Sequence, residues 1–139
     1  MENLFIKVDA TPNSVGFLRS VVGAFVAQVN PSMDTISDIK TAVSEAVTNV
    51  VVHAYNSENV GEISVFARLK DKTLHIEICD NGIGIADVDK ALTEFYTSKS
   101  EEERSGLGFT IMQSFMDNLS VTSIPEKGTR VQMSKSLVS

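Results

Sequence analysis

The order of periodic segments predicts a two-layer α/β sandwich, with an antiparallel or mixed sheet covered on one face by helices. Three observations carry that expectation. Two-residue alternation marks short strands, two long stretches carry helical stripes, and strands lie next to strands in both halves of the chain. The resulting order, β-α-α-β-β-loop-α-β-β, calls for hairpins rather than long parallel crossovers.

Leu4, Ile6 and Val8 alternate with Phe5 and Lys7, the period of a first strand. Asn13 or Ser14 is placed to cap a helix running to about Gln28, with Val15, Leu18, Val22, Phe25 and Val26 on one face. Asn30-Pro31-Ser32 breaks it, and a longer helix is expected from about Asp34 to Tyr55. Glu62 to Leu69 and Thr73 to Cys79 read as a hairpin around Lys70-Asp71-Lys72. A short helix is expected over Asp87 to Leu92, then a mobile polar loop from Glu94 to Ser105. A helix follows from Gly106 to Asp117, then strands near Leu119 to Ile124 and Thr129 to Ser134.

The 139 residues suit a single domain spanning 1–139, large enough to hold a ligand cleft without disulfides. A net charge of −6 argues against direct nucleic-acid binding, which needs a basic surface to neutralise phosphates. No apolar run approaches the ~18 residues of a membrane span. The N-terminus lacks the basic and small-residue marks of an export signal, and Cys79 is the sole cysteine. A cytoplasmic protein is the expectation. The Cys79 thiol and the five methionines are expected in the core.

On the second helix, Ile39, Val43, Ala46, Val47 and Val50 form an apolar stripe, with Asp38, Thr41, Glu45 and Asn49 beside it. Glu45 and Asn49 stand one turn apart on the same face. An amide oxygen suits Mg²⁺, and a carboxylate can orient a hydroxyl and accept its proton. Alone, the pair is as well explained by an exposed helix face. Asp80-Asn81-Gly82-Ile83-Gly84 sits where the Leu74, Ile76, Ile78 strand runs out. Glycines there admit a flat ligand, and an ionised Asp80 would accept from the exocyclic amine of adenine but repel the carbonyl of guanine. Such a charge-assisted bond is worth roughly 1.5–3 kcal/mol. A plain turn or calcium loop has the same local pattern. Ser105-Gly106-Leu107-Gly108-Phe109 opens the next predicted helix, where unobstructed amides suit phosphates, although a helix cap would look alike. Neither glycine box is a P-loop or a dinucleotide fingerprint.

Taken in order, a helix with Glu-x-x-x-Asn, a strand ending in Asp-x-Gly-x-Gly, a polar lid and a Gly-Leu-Gly-Phe helix start resembles the GHKL ATPase superfamily of gyrase, Hsp90, histidine kinase and MutL types. That resemblance implies the Bergerat sandwich, with ATP and Mg²⁺ held between the helices under the lid. Ser44-Glu45-Ala46-Val47-Thr48-Asn49, His53-Ala54-Tyr55, Glu103-Arg104-Ser105-Gly106-Leu107-Gly108-Phe109-Thr110-Ile111-Met112, Phe25-Val26-Ala27-Gln28 and Lys127-Gly128-Thr129 narrow it further. Over nearly the whole chain they resemble the sporulation anti-sigma factors of endospore-forming bacteria.

That family implies a homodimeric serine kinase that binds a sporulation sigma factor and phosphorylates an anti-anti-sigma protein, using ATP/ADP and Mg²⁺. It also implies Glu45 as general base, acting chiefly to orient the hydroxyl, and Asn49 as magnesium ligand. Asp80 would read adenine, with Gly82, Gly84 and Thr129 lining the base and Ser105, Gly106, Leu107 and Gly108 around the phosphates. Arg19 matches a partner-gripping residue, and Arg104 is a candidate for phosphate or partner contact. Lys99 reads as a solvated loop lysine, Glu101 to Glu103 as a solvated face, and His53 as a packing histidine rather than one that, a turn after Asn49, touches the site edge.

Three alternatives compete. A general stress-response anti-sigma kinase shares most of these features. A sensor histidine kinase would need a phosphoacceptor hairpin ahead of Leu4 and a basic residue where Val52 stands. A non-catalytic ATP-controlled switch would have no use for Glu45.

Overall fold

The computed structural model describes residues 2–55, 61–85, 88, 92 and 103–138, of which 103–107 are described as backbone. Its strands are β1 (Glu2–Asp9), β2 (Glu62–Lys70), β3 (Thr73–Asp80), β4 (Asn118–Ile124) and β5 (Gly128–Ser136). Its α-helices are α1 (Pro12–Ala27), α2 (Met33–Asn49) and α3 (Glu103–Phe115). The sheet runs β1-β2-β3-β5-β4, and every pairing is antiparallel. This is the two-layer α/β sandwich that the pattern predicts, in its antiparallel form.

Register decides which residues the helices cover. Leu4, Ala67, Ile76, Met133 and Leu119 share one cross-strand row, and Ile6, Val65, Ile78, Val131 and Val121 share the next. Both rows face the helices. With Leu18, Val22 and Val26 of α1 and Ile39, Val43 and Val47 of α2, they form a core in which most side chains are fully buried. Truncating one of these to alanine costs about 2–5 kcal/mol. Helix α2 lies in the middle of its layer, packed against α1 on one side and α3 on the other.

Three boundaries differ from expectation. Helix α1 begins two to three residues early, with Pro12 at its first position after the N-cap Thr11; the Thr11 N–H donates to Ser14 Oγ at 3.1 Å. Pro suits that position because its missing N–H would have no helical partner. Helix α2 stops being α-helical at Asn49 and continues as a π turn, Val50–Ala54. Helix α3 begins at Glu103, so the glycine box lies within its first turns rather than before them. Of the expected helix over 87–92 only residues 88 and 92 are described, both helical, and most of the expected loop over 94–105, with Lys99, lies outside the described residues.

The other sheet face carries no described helix. Phe5 and Phe66 stack there with ring centroids 4.5 Å apart, beside an exposed Arg130–Glu77 ion pair. Cys79 is on this face, half-buried against expectation, because alternation along β3 puts Asp80 on the core side. Burial and the neighbouring Glu77 carboxylate push its thiol pKa up, with Arg130 opposing. Met112, Met116 and Met133 are core residues, but Met33 is 79 % exposed at the start of α2, where no layer covers it.

Candidate functional site

Asp80 is the pivot of the site. Leu74, Ile76 and Ile78 alternate inward along β3, and the next inward position is Asp80. Its cross-strand neighbours in the same row are Ile63 on β2 and Thr129 on β5, with Ser123 on β4 beyond. The sheet therefore places a carboxylate and two hydroxyls where its apolar rows end. Asp80 and Ser14 are the buried polar side chains among the described residues. Burial raises the Asp80 carboxyl pKa, while N–H donors from Gly82 (2.8 Å to Oδ1) and Thr129 work the other way. The carboxylate is thus held by two backbone donors while keeping lone pairs for a ligand.

The opposite wall comes from α2 and its π turn. Asn49, Val50, His53 and Ala54 meet Asp80, Gly84, Ile85, Phe109, Thr129 and Val131 around a cavity of about 230 Å³. A π turn inserts one residue into the helical register, a device common at functional sites. Its end is fastened to the loop after β3. The Ile83 N–H donates to Ala54 O at 2.9 Å, and the Asn81 N–H donates to Tyr55 Oη at 2.9 Å. Tyr55 Oη in turn donates to Glu62 O at 2.8 Å. Gly82 makes the approach possible, since a Cβ there would lie 2.1 Å from Ala54 O. Gly84 adopts φ +77° as the chain turns beneath Ile124.

Asn49 carries the second polar anchor. Its Nδ2 is buried with no hydrogen-bond partner. Such a group costs about 1–3 kcal/mol unless a ligand satisfies it. Gly108 of α3 lies against the same carboxamide; a Cβ there would stand 2.9 Å from Nδ2 and 3.1 Å from Oδ1. The described residues contain no group of three or more His, Cys, Asp and Glu able to hold a metal. A divalent ion at Asn49 would be held by one amide oxygen together with ligand phosphates and water, the coordination Mg²⁺ favours. The unpartnered Nδ2 is a donor and suits a ligand oxygen such as that of a phosphate, Oδ1 of the same carboxamide is the atom that would hold the ion, and Gly108 keeps space clear beside both.

Asn49, Asp80, Gly84 and Thr129 therefore line one cavity, with Gly82 and Gly108 closing in behind two of them. Glu45 lies one turn before Asn49, half-buried, and does not line the cavity wall. Ser105, Gly106 and Leu107 lie in the first turns of α3, as does Arg104. Arg19 is exposed on α1, away from the cavity. His53 corrects the packing expectation: it is exposed at the cavity, where partial burial lowers its imidazole pKa. Its place one turn after Asn49 was the available signal. Ser123 bears no sequence mark at all. A larger groove, about 1090 Å³, crosses the open sheet face past Asn3, Phe66, His75 and Gln132. It is a broad sheet surface; the smaller cavity is where buried polar groups converge.

Residues 8–135 match the histidine kinase-like ATPase domain, and the chain belongs to that family of nucleotide-binding domains, within the GHKL ATPase superfamily. Within it, relatives named anti-sigma F factor match over most of both chains. The protein of Caldanaerobacter subterraneus subsp. tengcongensis is 53 % identical over 94 % of this chain and 90 % of its own. That of Bacillus licheniformis is 43 % identical over 95 % and 90 %. These relatives place the chain among the anti-sigma F factors. The fold agrees with solved structures. The RsbU and RsbW domains of a Mycobacterium tuberculosis protein superpose at TM-score 0.72 and 22 % identity, over 99 % of this chain and 33 % of that one. The catalytic domain of histidine kinase ThkA does so at 0.58 and 14 %, over 99 % and 97 %.

Proposed function

We propose that this chain is a cytoplasmic protein-serine kinase and anti-sigma factor forming a single domain. In this reading it acts as a homodimer, binds and inhibits a sporulation sigma factor, and transfers the γ-phosphoryl group of ATP to a serine of an anti-anti-sigma protein. The observation that supports it best is the cavity itself. An acceptor carboxylate and an unpartnered carboxamide face one space, in a kinase-like ATPase fold whose relatives are named anti-sigma F factor.

Asp80 accepts from the adenine amine while Gly82, Gly84 and Thr129 line the base. The Ser105-Gly106-Leu107-Gly108 segment lies around the phosphates, Ser105 and Gly106 offering first-turn amides of α3, where the helix dipole favours anions, and Leu107 and Gly108 packing alongside one turn further in. Asn49 holds Mg²⁺, which when bound neutralises phosphate charge. Glu45 orients the serine hydroxyl and takes its proton, and Arg19 on the exposed face of α1 grips protein partners. Arg104 contributes to phosphate or partner contact. Catalysis then rests on positioning and charge neutralisation rather than on a strong base.

A second reading is a non-catalytic switch, in which ATP only shapes a binding surface. It draws on the position of Glu45 outside the cavity wall. A general stress-response anti-sigma kinase would use the same site with different partners. Transfer of labelled phosphate from ATP to a purified anti-anti-sigma protein decides the first question. The kinase reading expects transfer by the parent chain, and retained ATP binding without transfer by Glu45→Ala. Full transfer by that variant removes Glu45 from the chemistry.

A further inference from the structure

His53 lines the cavity, yet neither the Asp80 anchor nor the Asn49 anchor gives it a task. It shares a wall with Asn49 and Ala54, its side chain is exposed, and neither ring nitrogen has a hydrogen-bond partner among the described residues. Partial burial lowers its pKa, so near neutral pH the ring is uncharged and keeps one N–H to donate. The two ends of the wall fix what passes in front of it. Ala54 marks the Asp80 end. Its carbonyl accepts the Ile83 N–H at 2.9 Å, and Gly82, whose N–H holds Asp80 Oδ1, packs against it. Asn49 marks the other end, against Gly108 of α3. His53 lies between them, one helical turn, about 5 Å, beyond Asn49.

A nucleotide with its base at Asp80 and its outer phosphates at Asn49 brings the junction of sugar and first phosphate to that level. Asp80 and His53 are the ionisable side chains on the cavity wall among the described residues, and ionised Asp80 repels phosphate. Between the two anchors, His53 is therefore the side chain with a donor to give an anionic oxygen. Hydrogen bonds to an ionised acceptor are shorter and stronger than neutral ones. We propose that His53 is a nucleotide-binding residue whose ring N–H donates to a non-bridging oxygen of the α-phosphate. This rests on the reading of the cavity as an ATP site, and it adds a side chain to the phosphate contacts of Asn49 and the α3 backbone. A His53 that only laid its ring over the base or sugar would act on adenosine and its phosphates alike.

Competition calorimetry of the full chain with Mg²⁺ reads the contact one phosphate at a time. ADP is titrated into chain preloaded with adenosine or with AMP, which gives affinities for all three. The parent should hold AMP more tightly than adenosine. His53→Ala should weaken AMP and ADP by the same factor, about tenfold or more, the effect of one hydrogen bond to a charged group, and leave adenosine unchanged. His53→Gln, which keeps an N–H on a side chain of similar reach, should recover part of the loss. His53→Phe, which keeps a ring without nitrogen, should behave as His53→Ala and provides the measurement if the alanine chain does not fold. Adenosine weakened as much as AMP puts the ring on base or sugar and overturns the proposal. ADP weakened with AMP unchanged puts it on the outer phosphate or the ion and also overturns it. So does a parent that binds AMP no better than adenosine, or a variant without the ring nitrogens that binds AMP as the parent does. A parent chain with no preference for ATP over GTP instead rejects the ATP reading itself.

Discussion

Gly108→Ala sets two effects of known size against each other. Gly108 is buried within α3, and alanine there improves intrinsic helix propensity by about 1 kcal/mol. The new Cβ would lie 2.9 Å from Asn49 Nδ2, 3.1 Å from Oδ1 and 3.4 Å from Cγ. Because the whole carboxamide is met, rotating its plane gives no relief, and the overpacking costs about 1–3 kcal/mol. The net loss of stability is about 0–2 kcal/mol, and urea unfolding should show a modest shift. Binding carries the larger penalty, because Asn49 can relax only by leaving its place. A displacement near 1 Å at a positioning group is worth up to about 100-fold, so Mg²⁺-ATP affinity measured by calorimetry should fall at least about tenfold. The double variant Asn49→Ala/Gly108→Ala should recover the packing cost but not the binding, a coupling that identifies the collision. Mg²⁺-ATP binding by Gly108→Ala within twofold of the parent refutes the reasoning.

The remaining expectations concern the frame around the cavity. Tyr55→Phe removes the acceptor of the Asn81 N–H and the donor to Glu62 O, so urea unfolding should show a loss of about 1–2 kcal/mol, with weaker ATP binding because Asn81 adjoins Asp80. Gly82→Ala, whose Cβ would lie 2.1 Å from a backbone oxygen, should cost about 3 kcal/mol. Gly16→Ala, with nothing within 4 Å, should instead stabilise α1 by up to about 1 kcal/mol in the same assay. Burial raises the folded-state pKa of Asp80, so the folded chain holds that proton more tightly than the unfolded one. The cost of ionising Asp80 therefore develops as pH rises upward from the ordinary carboxylate range. A plot of unfolding free energy against pH should fall more steeply there for the parent than for Asp80→Asn, which should also lose ATP; parallel curves contradict the assignment.

Much of the architecture is legible in the chain because strand periodicity survives local context. The alternation of Leu74, Ile76 and Ile78 also implies that the next core-facing position is Asp80, which leaves Cys79 on the open side. The π turn is not legible. Val50, Val51 and Val52 look like a continuing helix, and only packing against the loop after β3 reveals the changed register. Ser123 was hidden for another reason. Its importance comes from a register that seats it beside Thr129 and from a loop that delivers the Ile85 amide, neither of which is encoded near position 123.

The strand order has a consequence for biosynthesis. β5 lies between β3 and β4, so Thr129 reaches Asp80 only after the C-terminal hairpin has left the ribosome and slotted into place. A nascent chain ending before that hairpin owns the aspartate without its neighbour. If Thr129 lines the base as proposed, nucleotide can reward only the finished polypeptide, and its stabilising pull arrives as the last step of assembly rather than as a guide to the earlier ones.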